Sequence, residues 1–204
     1  MSGRALSFGA KATAYERFRP GYSVELFDKV ATFAGRPIHT ALEIGAGTGK
    51  ATRLFARRGI AVLATEPDEA MLAVLRKHVP AHVRAVRAAF EDLRAGETYG
   101  LVYAAAALHR TRPEGRWSRV AALLEPGGVF ASFGGPIRPV DPAVEKAVRE
   151  ARAPFGAGTG IRSDRAGSAG DDRDRRRHHG ASRASGTQGP ELIDVVRRRT
   201  CRSR

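Results

Sequence analysis

Residues 40–52 read TALEIGAGTGKAT, and this stretch decides the fold. Thr40 to Ile44 is a short apolar run with a single acid, Glu43. Lys50 opens a stretch, 50–58, with the three-to-four-residue apolar spacing of a helix. Between them stands Gly45-Ala46-Gly47-Thr48-Gly49. A strand passing through a glycine-rich turn into a helix is the opening of a βα unit. Glycine allows the tight turn and a close approach of backbone to a ligand, and free amides at the helix start favour an anionic group. Gly45, Ala46, Gly47, Thr48 and Gly49 are therefore the first candidate binding residues.

Spacing separates the ligand classes that use such loops. A dinucleotide loop GxGxxG counted from Gly45 needs a small residue at position 50, which is Lys50. A phosphate-binding GxxxxGK[ST] loop ending at Gly49-Lys50 needs glycine at 44 and Ser or Thr at 51. The chain has Ile44 and Ala51 there. The pattern that remains is GxGxG two residues after an acid.

Working outward, short apolar runs alternate with helical patterns. Strands are expected at 40–44, 61–66, 83–88, 100–105 and 128–134, and helices at 24–33, 50–58, 68–78 and 114–124. Pro126-Gly127-Gly128 is expected to end the last helix and launch the fifth strand. The pattern stops near Pro154. The stretch that follows is rich in Gly, Ser, Arg and Asp and is expected to be disordered, with Leu192 to Val196 as its one short apolar segment. The expected organisation is an N-terminal segment at 1–36, an α/β domain at 37–153 and a tail at 154–204.

The chain of 204 residues suits one α/β domain, and 42% apolar residues is ordinary for a water-soluble protein. No stretch has the length of a signal-peptide core or a membrane span, so a cytoplasmic protein without a membrane partner is expected. The single cysteine, Cys201, supports neither a disulfide nor a metal site. A net charge of +14 raises nucleic acid as a partner. The excess is nearly all arginine, with only five Lys among 35 basic residues, and half of it lies in the tail. There DDRDRRRHH (171–179) is interspersed with acids and lacks aromatics, which argues against a nucleic-acid surface.

The glycine loop, as ALEIGAGTGKAT, resembles the first motif of the class I S-adenosylmethionine-dependent methyltransferases. The similarity extends from about Ser7 to Pro142 and is strongest toward small-molecule methyltransferases. It implies a Rossmann-like fold, with a mostly parallel sheet flanked by helices, and S-adenosyl-L-methionine as cofactor. Glu43 and the loop approach the amino-acid end of that cofactor. In TEPDEAML, Glu66 ends the second strand where a carboxylate accepts hydrogen bonds from both ribose hydroxyls, with Pro67 and Met71 beside it. Phe90 and Glu91, in AFEDL, fall where relatives hold the adenine, with core packing the competing role for Phe90. Ala104 and Ala105 line the cofactor with little bulk. FGAKATAYERFRPGY resembles the lid of these enzymes, matching at Tyr15, Arg19 and Tyr22, and Arg19 is a candidate partner for the cofactor carboxylate.

Transfer from a sulfonium is an in-line displacement, for which positioning and exclusion of water matter most. Where the acceptor must lose a proton, His109, after the fourth strand, is the candidate base. Arg110 stands where relatives often carry an aromatic. The expected function is methylation of a small-molecule acceptor. The alternative is a non-catalytic cofactor- or nucleic-acid-binding remnant, because the two antiparallel edge strands that usually end the fold give way to the tail. The sheet edge is thus expected to be incomplete, through truncation or a shifted reading frame near Pro154, with ELIDVV (191–196) able to supply one strand.

Overall fold

The strand expected at 40–44 forms as β1, Thr40–Ile44, and the elements around it follow the βα alternation in the computed structural model of the chain. Residues 12–94, 96–134, 143, 146–147, 150–151 and 193–198 are described. Two helices precede the sheet, α1 (Ala12–Phe18) and α2 (Val24–Ala34). After β1 come α3 (Lys50–Ala56), β2 (Ala61–Thr65), α4 (Glu69–His78), β3 (Arg84–Val86), β4 (Tyr99–Ala105), α5 (Arg116–Leu123), β5 (Leu124–Phe133) and β6 (Ile193–Arg197). Strand order is β3-β2-β1-β4-β5-β6. The first five strands are parallel and β6 runs antiparallel along β5.

Both faces of the sheet are covered, which is why its strands are apolar on both sides. Alternation then divides the residues. Ala41, Leu101, Tyr103, Val129 and Phe133 pack with Leu26 and Val30 of α2 and Phe55 of α3. Leu42, Ile44, Val102 and Phe130 pack with Trp117 and Val120 of α5. The Phe55 ring stacks on Tyr103 with centroids 4.3 Å apart. Burying an aromatic of that size stabilises the fold by about 1.5–3 kcal/mol. Glu43 lies on the α2/α3 face, the one acid among these aromatics.

The expected helix boundaries hold within one to two residues. Asp68 caps α4, its carboxylate accepting from the amides of Ala70 and Met71 at 2.9 and 3.0 Å. Pro126-Gly127-Gly128 interrupts the ladder instead of preceding it. Tyr99 pairs with Leu124, yet Leu101 already pairs with Val129, so the turn is looped out inside β5. A Cβ on Gly128 would lie 2.9 Å from the Glu125 carbonyl, so only glycine fits.

ELIDVV supplies an edge strand, as expected. Val196 is buried and the Arg198 amide donates to Gly128 O at 2.9 Å. Among the described residues it is one antiparallel strand where the fold usually has two. The expected disorder at 155–189, the DDRDRRRHH run and Cys201 lie outside the described residues, as does FGAK at the start of the N-terminal segment. No helix among the described residues is long and apolar enough to cross a membrane.

Candidate functional site

The strand order reverses between β1 and β4, so the segments leaving their carboxyl ends diverge and open a crevice. Gly45, Gly47 and Gly49 all hold left-handed backbone, with φ of 64°, 59° and 85°. A Cβ on Gly45 would sit 2.7 Å from the Ala107 Cβ, whereas one on Gly47 would meet nothing within 4 Å. Gly45 is thus required by packing, and Gly47 by backbone conformation alone.

Three amides of the loop are committed within the protein: Ala46 donates to Thr65 O at 2.9 Å, Gly49 to Ala46 O at 2.9 Å, and Gly47 to Glu66 Oε2 at 2.8 Å. Buried amides must find partners, and the turn supplies them internally. Its product is an oriented Glu66. The second oxygen of that carboxylate, Oε1, accepts from the Asp68 amide at 3.0 Å. Each oxygen retains acceptor capacity for a ligand hydroxyl. Burial raises the Glu66 carboxyl above its ordinary value, against the Asp68 and Gly47 amides, which favour its charge.

Glu66 faces a cavity of about 180 Å³. Of the expected residues, Gly45, Gly47, Pro67, Met71, Phe90, Glu91 and Tyr15 also line it. Phe90 is 4% exposed and packs in the α5-side core while forming part of the cavity wall. Glu91 accepts from the Arg112 amide at 2.7 Å, which holds the two segments of the wall together.

A smaller cavity of about 30 Å³ adjoins it, sharing Tyr15, Gly45 and Gly47, and takes in Arg19, Tyr22, Glu43, Ala46 and Thr48. Glu43 is fully buried. Its Oε2 accepts from Thr52 Oγ1 at 2.5 Å and from the Tyr103 hydroxyl at 2.9 Å. Its Oε1 has no hydrogen-bond partner among the described residues. Burial pushes the Glu43 carboxyl up to about 8, with Glu66 adding to the rise and Thr52, Tyr103 and Arg53 opposing it.

Three expected residues fall elsewhere. Gly49 turns the chain into α3 and packs under Leu75 and Val79. Ala104 is fully buried on the α5 face, and its neighbour Ala105 lines both cavities, because successive residues of a strand point to opposite sides. His109 lies exposed on a short 3-10 turn, Leu108–Arg110, outside both linings.

Other residues at the site were not anticipated. Arg110, Thr111 and Arg112 line the larger cavity. Ala106 adopts φ 53° and lies against Gly134, whose missing side chain leaves it room. A non-glycine residue in this region is strained and tends to occur at binding sites. Glu16 of α1 pairs with Arg53 at 2.8 Å and Lys50 at 3.5 Å, and its carbonyl accepts from Lys50 Nζ at 2.8 Å. Lys50, the residue that excluded a dinucleotide loop, is therefore the hook by which α1 closes over the glycine turn. The acid-then-base spacing of 16, 50 and 53 carries no periodicity, so only the fold reveals it. Burial works against ionisation of Glu16, but Thr48, Arg53 and Lys50 hold its carboxyl below its ordinary value.

Residues 41–128 match the methyltransferase domain family. Uncharacterized methyltransferases of Mycobacterium tuberculosis and Mycobacterium bovis are each 39% identical over 124 residues, covering 61% of this chain and 50% of theirs. The chain thus spans about half the length of the curated relatives it matches. A candidate type II methyltransferase from Anaeromyxobacter dehalogenans superposes with a TM-score of 0.58 at 27% identity, over 68% of this chain and 58% of that one. The N-methyltransferase NodS from Bradyrhizobium japonicum has the same fold, with a TM-score of 0.58 at 12% identity over 86% and 93% of the two chains.

Proposed function

We propose that this chain, whose residues 41–128 form a class I methyltransferase domain, transfers the methyl group of S-adenosyl-L-methionine to a small-molecule acceptor. The observation that carries the proposal is Glu66, a buried carboxylate at the end of β2, aimed by the Gly47 and Asp68 amides into a cavity of nucleoside proportions. A carboxylate so placed accepts from two vicinal hydroxyls without moving. Pro67, Met71 and Phe90 supply an apolar wall for a base, and Glu91 an acceptor at its edge. The smaller cavity, between the loop and Arg19, takes the amino-acid end, with the Arg19 guanidinium for its carboxylate.

The cofactor supplies an electrophilic methyl group on a sulfonium. The protein's share is orientation and exclusion of water. Tyr15 lines both cavities and roofs the junction between them, held there by the Glu16 hook on Lys50 and Arg53. Burial raises the Tyr15 hydroxyl above its ordinary value, so it keeps its proton at neutral pH and is able to donate a hydrogen bond. No step is assigned to His109, which stands exposed outside both cavities. Support for a small acceptor comes from the N-terminal segment, whose resemblance to the lid of small-molecule methyltransferases includes Tyr15, a residue that lines both cavities.

Calorimetric titration with S-adenosylmethionine, S-adenosylhomocysteine and NAD is the test. Binding of the two adenosyl compounds is expected; binding of NAD alone would overturn the proposal. Transfer of labelled methyl to a metabolite panel then separates an enzyme from the second reading, a binding domain without turnover. That reading is favoured by the sheet edge, where β6 is the one antiparallel strand among the described residues.

A further inference from the structure

We infer that the smaller cavity exchanges a proton for a ligand ammonium group: Glu43 is a neutral acid while the cavity holds no cation and becomes a carboxylate when one enters. This rests on the cofactor reading above, since the amino group concerned is that of the cofactor's amino-acid end.

Glu43 is the most deeply buried acid of the site, 0% exposed, on the sheet face packed with Phe55 and Tyr103. Among the described residues two neutral hydroxyls serve it, those of Thr52 from α3 and Tyr103 from β4, and both go to Oε2. Oε1 is buried and has no hydrogen-bond partner among the described residues, while the residue lines the smaller cavity beside Gly45 and Gly47. A bare carboxylate oxygen in such surroundings costs several kcal/mol, and a carboxyl group relieves that cost by keeping its proton.

The charges around it do not neutralise it. Glu66, at the end of β2, repels a second negative charge, while Arg53 of α3 favours one. Arg53 is itself engaged by Glu16 at 2.8 Å, as is Lys50 at 3.5 Å. From the N-terminal side Tyr22 and Arg19 line the cavity, and burial pushes the Tyr22 hydroxyl up to about 12, so it carries no charge. Burial holds the Glu43 carboxyl at about 8. An ammonium group placed against Oε1 supplies both the donor and the countercharge that are missing. The acid then ionises and its proton leaves to solvent, the net charge of the cavity changing by that of the cation less the proton released.

The measurable consequence is proton release on binding. At pH 7, S-adenosylhomocysteine is expected to displace about one proton per site, read as a difference in binding heat between phosphate and Tris buffers. Its affinity is expected to rise by up to about tenfold per pH unit from pH 6 to 8 and then to level off. Methylthioadenosine, which has the nucleoside but no amino group, is expected to bind with no release. In Glu43→Gln the homocysteine compound is expected to bind more weakly and with no release, which separates Glu43 from the ligand amine as the proton source. Equal heats in the two buffers together with a flat affinity between pH 6 and 8 would overturn the inference while leaving the cofactor reading intact. Failure of both adenosyl compounds to bind would overturn that reading, and the inference with it.

Discussion

The two sides of the crevice are built differently. On the β1–β2 side the functional groups are held by one another: the Ala46, Gly47 and Gly49 amides are engaged within the protein, Glu66 is fixed by the Gly47 and Asp68 amides, and Glu43 Oε2 by two hydroxyls. On the β4–β5 side, beyond Ala105, the chain leaves the sheet through a strained Ala106 into the turn Leu108–Arg110, where His109, Arg110 and Arg112 are exposed. Its outer support, β6, comes from more than fifty residues further along the chain. The rigid side presents groups suited to one invariant ligand. The open side suits the acceptor, the part of the reaction that differs between enzymes of one fold.

The contrast breaks most visibly at the glycines. Gly45→Ala forces a Cβ to 2.7 Å from Ala107 at φ 64°, and a loss of about 2–4 kcal/mol in urea unfolding is expected. Gly47→Ala meets no atom, so only the left-handed backbone is charged, about 1–2 kcal/mol. A larger cost at 47 than at 45 would mean that the turn does not lean on the β4 side through Ala107.

Legibility in the sequence follows the same division. The β1–β2 side is encoded locally: TALEIGAGTG and TEPDEAML each place strand, turn and cap within a dozen residues, and the structure brings Glu66, Pro67 and Met71 together as expected. Where a reading depended on parity it took both Ala104 and Ala105, and alternation in the strand leaves only Ala105 on the cavity side. Where it depended on chain ends meeting in space it was blind. Nothing in AYERF announces that Glu16 closes on Lys50 and Arg53, and nothing in the glycine loop announces that the Gly47 amide would aim Glu66. The strand at ELIDVV was readable as apolar, and its antiparallel place at the sheet edge was expected from the family resemblance rather than from its own residues.

Two acids sharpen the comparison because their pH signs are opposite. Glu16 titrates below its ordinary value, so its ion pairs stabilise the fold above the unfolded carboxylate range, and that stability is lost as pH falls through the folded value. Glu16→Ala is expected to cost about 1 kcal/mol at pH 7, shrinking toward zero in acid, and to speed dissociation of S-adenosylhomocysteine. Glu43 titrates above its ordinary value, so the native state holds its proton longer than the unfolded chain does. Stability from this group therefore falls as pH rises from the ordinary carboxylate range to about 8. Glu43→Gln is expected to raise the melting temperature relative to wild type at pH 8 and much less at pH 5. The same difference at both pH values would mean that Glu43 is ionised throughout.

The smallest effect is expected on the open side. His109 lies exposed and outside both cavities, so His109→Ala should change stability by less than about 0.5 kcal/mol. Cofactor affinity should be unchanged, and transfer to any acceptor found in the panel should fall by less than about threefold, because a group outside both cavities supplies no proton transfer. The pH profile of the variant is the decisive part. A hundredfold loss accompanied by disappearance of a limb near the ordinary histidine pKa would make His109 the base after all. It would also mean that the turn after β4 folds onto the acceptor, so that the open side is completed by its substrate.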